Sequence, residues 1–397
     1  MKKNTTFTAI LVVYALALHG QKSGTDEMFP SAAIHGRIMY DYEFLSQNFR
    51  DPADDYKLSG AEFRRVRLDA SGKLYKHLAY KVDFDFAGSL IKYRNVYLRW
   101  KKLPLIGGDL TMGSFGVVSS LEMATSSKYI ALMERDMLTR FQDSRYAPGF
   151  GYKNYDLLNE RAGIFLAYTQ NGTSSESAFF NDALKGRKTF TARLTGLVFR
   201  DKTRHALVHL GTSYQYAKRT ADPAPFKLKF RPGYHLGYKI KAKVPADLKY
   251  QKTTGLEVAA IWGPFFSQAE YKAAHFYTKD GDYSATGQYI TAGVVFNGRR
   301  SFKNGAFKRI KMKSNFDPGE GTWGALELVV RYSVLNYAAF IDGPATGKTH
   351  ALAAGINWYL NDHTRLMYNL IRAVPGDDDH IEADALNGHL LRVQVDF

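Results

Sequence analysis

The chain contains no cysteine, which excludes a disulfide framework and thiolate-ligated metal sites. Its eleven histidines show neither HxH nor HExxH spacing, so a metal enzyme is unsupported. Acid is scarce relative to base. Against 54 Lys and Arg stand only 38 Asp and Glu, a net charge of +16. A surface that basic attracts nucleic acid, anionic lipid or small anions. Long apolar runs are also missing. Beyond the N-terminus, no stretch approaches the ~20 residues that a spanning helix needs. No fixed-period repeat is visible, which sets propellers aside.

What is present narrows the choice. Lys2 and Lys3 precede an apolar run from Phe7 to Leu18, and Gly20–Gln21 follows as a cleavage site. This is the pattern of a signal peptide over residues 1–20, so the mature chain, 21–397, is exported. Export argues against nucleic acid as a partner. The remaining chain is rich in aromatics, with 26 Tyr and 26 Phe. An exported chain of this kind without spanning helices is either soluble or a closed transmembrane barrel. Barrels are the other backbone that satisfies its own hydrogen bonds in lipid.

The strand pattern favours the barrel. In IHGRIMYDYEF, Ile34, Gly36, Ile38, Tyr40 and Tyr42 share one face, and His35, Arg37, Met39, Asp41 and Glu43 the other. Arg65, Arg67 and Asp69 alternate with Val66, Leu68 and Ala70, with Arg64 just ahead. The same two-residue step runs through Tyr80–Phe86, Val96–Trp100, Ala162–Tyr168, Val208–Tyr216 and Leu256–Trp262. Segments of about ten alternating residues, with short turns on one rim and long loops on the other, mark an outer-membrane barrel. The chain ends LLRVQVDF, an alternating strand closed by Phe397.

One stretch breaks the step. Residues 113–135, GSFGVVSSLEMATSSKYIALMER, carry two Ser-Ser pairs and recurrent apolar residues. Its apolar content argues against disorder. The expectation is a loop that folds back inside the barrel and constricts it. Further on, Lys227, Lys229 and Arg231 fall at i, i+2, i+4, followed by Lys239, Lys241 and Lys243. In a strand such spacing puts each set on one face. Facing a water-filled lumen, they form a ladder that conducts anions. Facing outward on a loop, they bind lipopolysaccharide phosphates.

From about Ala61 to Phe397 the chain resembles the phosphate-selective porin (porin O and P) family. The resembling pieces include EFRRVRLDASGKLYKHLAYKVDFDF, FGVVSSLEMATSSKYIALMER, TGLEVAAIWGPFFSQAEY and HLLRVQVDF. The resemblance implies an all-β, sixteen-stranded antiparallel barrel in the bacterial outer membrane, a homotrimer, and a third loop folded into the lumen. It also implies site residues. Arg64 and Arg65 match a pore Arg pair, and Arg135 another pore arginine. Ser126 and Ser127 match serines that hydrogen-bond the passing anion, and Lys128 follows them. Three positions depart from the family. Met123 replaces a loop lysine, Arg67 a tyrosine and Arg94 an acidic residue.

The resulting expectation is a passive channel for small anions, phosphate or polyphosphate, embedded in outer-membrane lipid and lacking cofactor, metal or covalent chemistry. A porin for another solute, such as an anionic sugar, is the alternative that Met123 and Arg94 motivate. A hydrolase on a barrel lacks its Ser/His pair, since no serine is matched to His205 or His209. GPATGKT (343–349) is one residue short of a phosphate-binding loop and precedes a strand. GDDDHIEAD (376–384) reads as a solvated loop ahead of a divalent-cation site.

Overall fold

The computed structural model describes residues 29–48, 53, 55–88, 90–141, 145–170, 186–219, 225–279, 281–337, 347–374 and 385–397. The expected signal peptide over residues 1–20, most of GPATGKT and GDDDHIEAD lie outside the described residues. So do the side chains of Lys227 and Lys243, whose backbones are described.

Alternation translates directly into strands. In chain order they are β1 Ala33–Gln47, β2 Tyr56–Tyr75, β3 Leu78–Asp85, β4 Lys92–Lys101, β5 Asp109–Gly116, β6 Tyr146–Leu157 and β7 Ala162–Gln170. Then come β8 Arg187–Asp201, β9 Ala206–Arg219, β10 Pro225–Phe230, β11 Ile240–Trp262, β12 Phe265–Thr278 and β13 Asp282–Phe296. Two small hairpins follow, β14 Gly298–Lys303 with β15 Ala306–Met312, and β16 Phe316–Asp317 with β17 Thr322–Trp323. The last strands are β18 Ala325–Asn336, β19 Lys348–Tyr359, β20 Thr364–Val374 and β21 Leu386–Asp396.

Seventeen strands share one sheet. With β10 set aside as a flap on β11, sixteen close into an antiparallel barrel. The closing pair is β1 with β21, from Arg37 opposite Asp396 to Ser46 opposite Asn387. Gly36 is required at that seam. A Cβ there would sit 2.2 Å from the ring of Phe397, whose backbone N–H and C=O both bond Gly36. Closure leaves no unpaired edge, as a membrane demands.

The outward faces carry the lipid-compatible residues. Ile38, Tyr40, Tyr42 and Phe44 are exposed, whereas Met39, Asp41, Glu43 and Leu45 are fully buried inside. Short turns such as Lys76-His77 and Gly263-Pro264 lie at one rim, together with the folded connection that carries β14–β17, and most of the other long connections lie at the opposite rim. By the convention of such barrels, the short-turn rim is periplasmic.

Two β-bulges set the inner face. Met39 pairs with Arg65 and Tyr40 with Phe63, so Arg64 is an extra residue in β2. Val82 pairs with Val96 and Phe84 with Tyr93, which leaves Arg94 and Asn95 in a second bulge. A bulge lets two consecutive residues point the same way. Arg64 and Arg65 both face the lumen, as do Arg94 and Asn95.

The lumen is far from empty. Residues 117–141 fold inside, with a short helix Leu121–Ala124 and a 3-10 turn Met137–Phe141. Its boundary differs from the sequence expectation of 113–135. Gly113–Gly116 stay in β5, paired with Tyr146–Gly149, because that pairing satisfies their backbone groups. From the same rim, residues 231–239 dip inward. The N–H groups of His235 and Leu236 donate to Glu43 at 2.9 and 2.7 Å. From the periplasmic rim the β14–β15 hairpin enters, its Gly305 carbonyl accepting from Arg193 at 2.7 Å. Leu121, Leu132 and Met133 of the long loop, Tyr234, and Phe307 and Ile310 of the hairpin form one apolar cluster. Its wall side is Ala259, Ile261, Val329, Ala353, Met367 and Ile371. Burial of these side chains, at about 25 cal/mol per Å2 of apolar surface, holds the insert against the β11–β21 wall.

Candidate anion pathway

Wall arginines grip the backbone of the long loop. Arg300 donates to the Tyr129 carbonyl, Arg365 to Ile130 at 3.0 Å, Arg392 to Met133 at 2.5 Å and Arg331 to Glu134 at 3.4 Å. Asn357 adds a bond to the Ala131 carbonyl at 2.7 Å. These carbonyls have no ladder partner of their own, so the wall supplies donors. Three of these arginines are ion-paired: Arg300 with Glu327, Arg331 with Glu122, Arg392 with Asp41. They are structural and leave the conduction path to the opposite wall.

The loop carboxylates follow the same logic. Burial opposes ionisation of Glu134, but Arg64, Arg65 and Arg392 outweigh it and hold the carboxyl well below its ordinary range. Glu122 is likewise lowered, burial being overcome by Arg331 and Arg135. Asp136 goes the other way. Its burial dominates Arg331 and the Ser333 hydroxyl, and its pKa rises to about 6.

Across from the loop, β1–β4 present a charged row. Arg37 is directly opposite Arg67, and Arg67 directly opposite Asp85. Arg67 Nε and Arg94 Nη2 both reach Asp85 Oδ2, at 3.0 and 3.1 Å. Arg37 Nη1 donates to the Ser127 hydroxyl at 2.5 Å, joining the row to the loop tip. Arg65 is 5% exposed, and its one described bond is to the Met39 sulfur at 3.3 Å. Arg145 completes the group, stacked over Tyr146 with its guanidinium 5.5 Å from the ring centre. Burial and the like charges of Arg67, Arg94 and Arg64 lower its proton affinity, with Tyr146 opposing. Like charges directly opposite in a ladder destabilise it. Arg37, Arg65, Arg67, Arg94 and Arg145 outnumber Asp83 and Asp85, so an anion here relieves repulsion.

The sequence-derived candidates therefore scatter. Arg65, Arg67, Arg94 and Ser127 come together. Arg64 is clamped to Glu134 through two bonds of 2.8 and 2.9 Å. Arg135 is turned into its own loop, donating to the Glu122 and Thr125 carbonyls at 2.9 and 2.6 Å. Ser126 Oγ accepts the Lys128 N–H at 3.3 Å, and Lys128 pairs with Asp396 at 3.0 Å, toward the periplasmic rim. Met123 is buried on the short helix. Arg37, Arg140 and Arg145 were missed. Arg37 had a legible signal: it shares the inward face of its strand with Asp41 and Glu43.

Lys229 pairs with Lys241 and Lys227 with Lys243 across the β10–β11 hairpin. The two basic runs are thus one double column. Lys229 and Lys241 are exposed, while Leu228, Phe230 and Ala242 on the other face are buried. Arg231 donates to the Gly237 carbonyl at 2.6 Å. Lys239 has Arg231, Lys229 and Arg140 as electrostatic neighbours, and Arg140 in turn has Arg64 and Arg231. Arg140 thus lies between the extracellular hairpin and Arg64, with Glu134 as the intervening carboxylate, and Arg64 adjoins Arg65 and Arg67.

A closed sixteen-stranded barrel with an in-folded loop and a basic internal track defines an outer-membrane porin. The match to the family model "Phosphate-selective porin O and P" spans residues 33–397, and the chain belongs to that family. It is an outer-membrane channel for small anions. It is similar to Porin O of Pseudomonas aeruginosa, at 27% identity over 94% of this chain and 90% of that protein. Solved structures share the fold. An anion-selective porin from Comamonas acidovorans has a TM-score of 0.58 at 13% identity, covering 92% of this chain and 99% of that one. The outer membrane channel DcaP of Acinetobacter baumannii has a TM-score of 0.56 at 11% identity, covering 94% and 100%.

Proposed function

We propose that the pore conducts phosphate-like oxyanions passively, with the Arg37–Arg67–Arg65 group and the Ser127 hydroxyl as its central binding site. The observation that carries this reading is Arg37 lying opposite Arg67 beside Arg65, whose one described hydrogen bond is to the Met39 sulfur. Guanidiniums match phosphate oxygens in a fork geometry, and a hydroxyl completes the shell that water must give up. The double column of Lys227, Lys229, Arg231, Lys239, Lys241 and Lys243 collects anions, and Arg140 passes them to the centre. Asp85, shared by Arg67 and Arg94, weakens binding enough for release, which conduction requires. Lys128 and Arg309, both on Asp396, receive the ion toward the periplasm. Ser126, Arg64 and Arg135 support the loop rather than touch the ion. The working assembly is a homotrimer in outer-membrane lipid, and no covalent step is involved.

The test is reversal potential across a planar bilayer under a chloride gradient, followed by phosphate titration of the conductance. Anion selectivity with saturating block by phosphate supports the reading. Anion selectivity without block leaves a general anion pore, and cation selectivity refutes it. Replacing Lys227, Lys229 and Arg231 by Gln lowers anion preference at low salt. Unchanged selectivity places them outside the path.

A further inference from the structure

A second group of cations faces away from the pore. On the outer surface near the extracellular rim, Lys188 of β8 is directly opposite Lys218 of β9, and Lys218 is directly opposite Tyr250 of β11. One level deeper, Lys252 of β11 lies opposite Tyr216 of β9 and His275 of β12. Their in-register neighbours Thr189, Ala217 and Gln251 are buried, so the lysines point outward. Among the described residues, no carboxylate pairs with Lys188, Lys218 or Lys252. Lys252 Nζ instead sits 5.2 Å from the Tyr277 ring centre and 5.8 Å from that of Tyr250, which stack on each other at 4.3 Å.

This arrangement is costly in the absence of a ligand. Two lysines directly opposite repel, and lysine on a lipid-facing strand is tolerated only near the interface. Below them the surface turns apolar, with Phe190, Leu194, Leu210 and Leu256 all exposed. Directly opposite Cβ atoms are about 5 Å apart, and a neighbouring strand adds about 4.8 Å. Lys188 and Lys218 thus flank a space the size of one phosphate ester, with Lys252 one level deeper on the Tyr277 side, above a face that accepts acyl chains.

We propose that this patch binds the phosphate group of a phosphorylated glycolipid in the outer leaflet. Lys188 and Lys218 hold the phosphate, Lys252 adds positive potential one level deeper, and the Tyr216–Tyr250–Tyr277 cluster packs on the sugar. The site is independent of conduction, because its side chains face lipid.

The test titrates lipid A, and lipid A stripped of its phosphates, onto the detergent-solubilised barrel and reads bound lipid by native mass spectrometry. Wild-type protein retains the phosphorylated form preferentially. The triple variant K188Q/K218Q/K252Q binds it about a hundredfold more weakly, from roughly fivefold per lysine. Equal binding of the two lipids by wild type overturns the proposal without any variant. So does undiminished binding by the triple variant. Inorganic phosphate does not displace the lipid at concentrations that block the pore; displacement there would assign the cations to free phosphate. The triple variant keeps wild-type reversal potential, and a changed value would mean that these lysines face the lumen.

Discussion

Arg37→Gln is the most direct probe of the pore. Arg37 faces Arg67 across the β1–β2 ladder and holds the Ser127 hydroxyl at 2.5 Å. Gln keeps a donor in reach of Ser127 and removes the charge. A charge-assisted hydrogen bond contributes about 1.5–3 kcal/mol, so the variant binds phosphate about 10- to 150-fold more weakly. The ladder itself loses a like-charge contact, and the folded barrel is not weakened. The assay is single-channel chloride conductance titrated with phosphate, with the gel mobility of unheated and heated protein as the folding control. Salt must stay low, because the Debye length is about 10 Å at 0.1 M and added ions screen the site. Arg37→Lys retains part of the affinity, since an ammonium keeps the charge but lacks the fork. A phosphate affinity within twofold of wild type in the Gln variant would refute the central site.

Three further outcomes follow from the same geometry. Asp85→Asn frees both Arg67 and Arg94, so phosphate affinity rises about tenfold and conductance at saturating phosphate falls as release slows; unchanged titration curves would show that Asp85 does not face the ion. Arg392→Ala strands Asp41, fully buried and held through two 2.6 Å bonds, and drops the Met133 carbonyl. Breaking such a pair costs about 3–5 kcal/mol, read as a lower temperature of heat-induced gel shift and a noisier open channel. Asp136 predicts a pH effect on loop docking. Its pKa is raised to about 6 in the docked loop, so its contribution is fully present below the ordinary value near 3.9 and is lost as pH rises through about 6. Glu134 and Glu122, both held low, add nothing above about pH 5, because their contribution is lost only as pH falls through the ordinary glutamate value near 4.3. Protease sensitivity of the loop therefore rises with pH from about 5 through about 6 in wild type and stays flat over that range in Asp136→Asn.

Two-residue alternation was legible because a strand puts successive side chains on opposite faces, and lipid outside a barrel forces the outward set to be apolar. Ile38 to Phe44 and Leu256 to Trp262 needed no tertiary information. The long loop was also visible, as the place where alternation stops. Its limits were not, since Gly113–Gly116 look like loop residues and become a strand only because β6 returns to pair with them.

The site was less accessible to the sequence. Arg64 and Arg65 read as neighbours on opposite faces of a strand until the bulge turns both inward. Arg135 looks like a pore cation in one dimension and proves to be a staple for its own loop. Arg300, Arg331, Arg365 and Arg392 are as basic as Arg37, yet they are occupied by carbonyls of a loop more than a hundred residues away in sequence. The chain alone therefore determined the barrel, its membrane face and its excess of cations. Tertiary structure decided which cations remain available to an anion, because a guanidinium's role depends on the acceptors that long-range folding brings beside it.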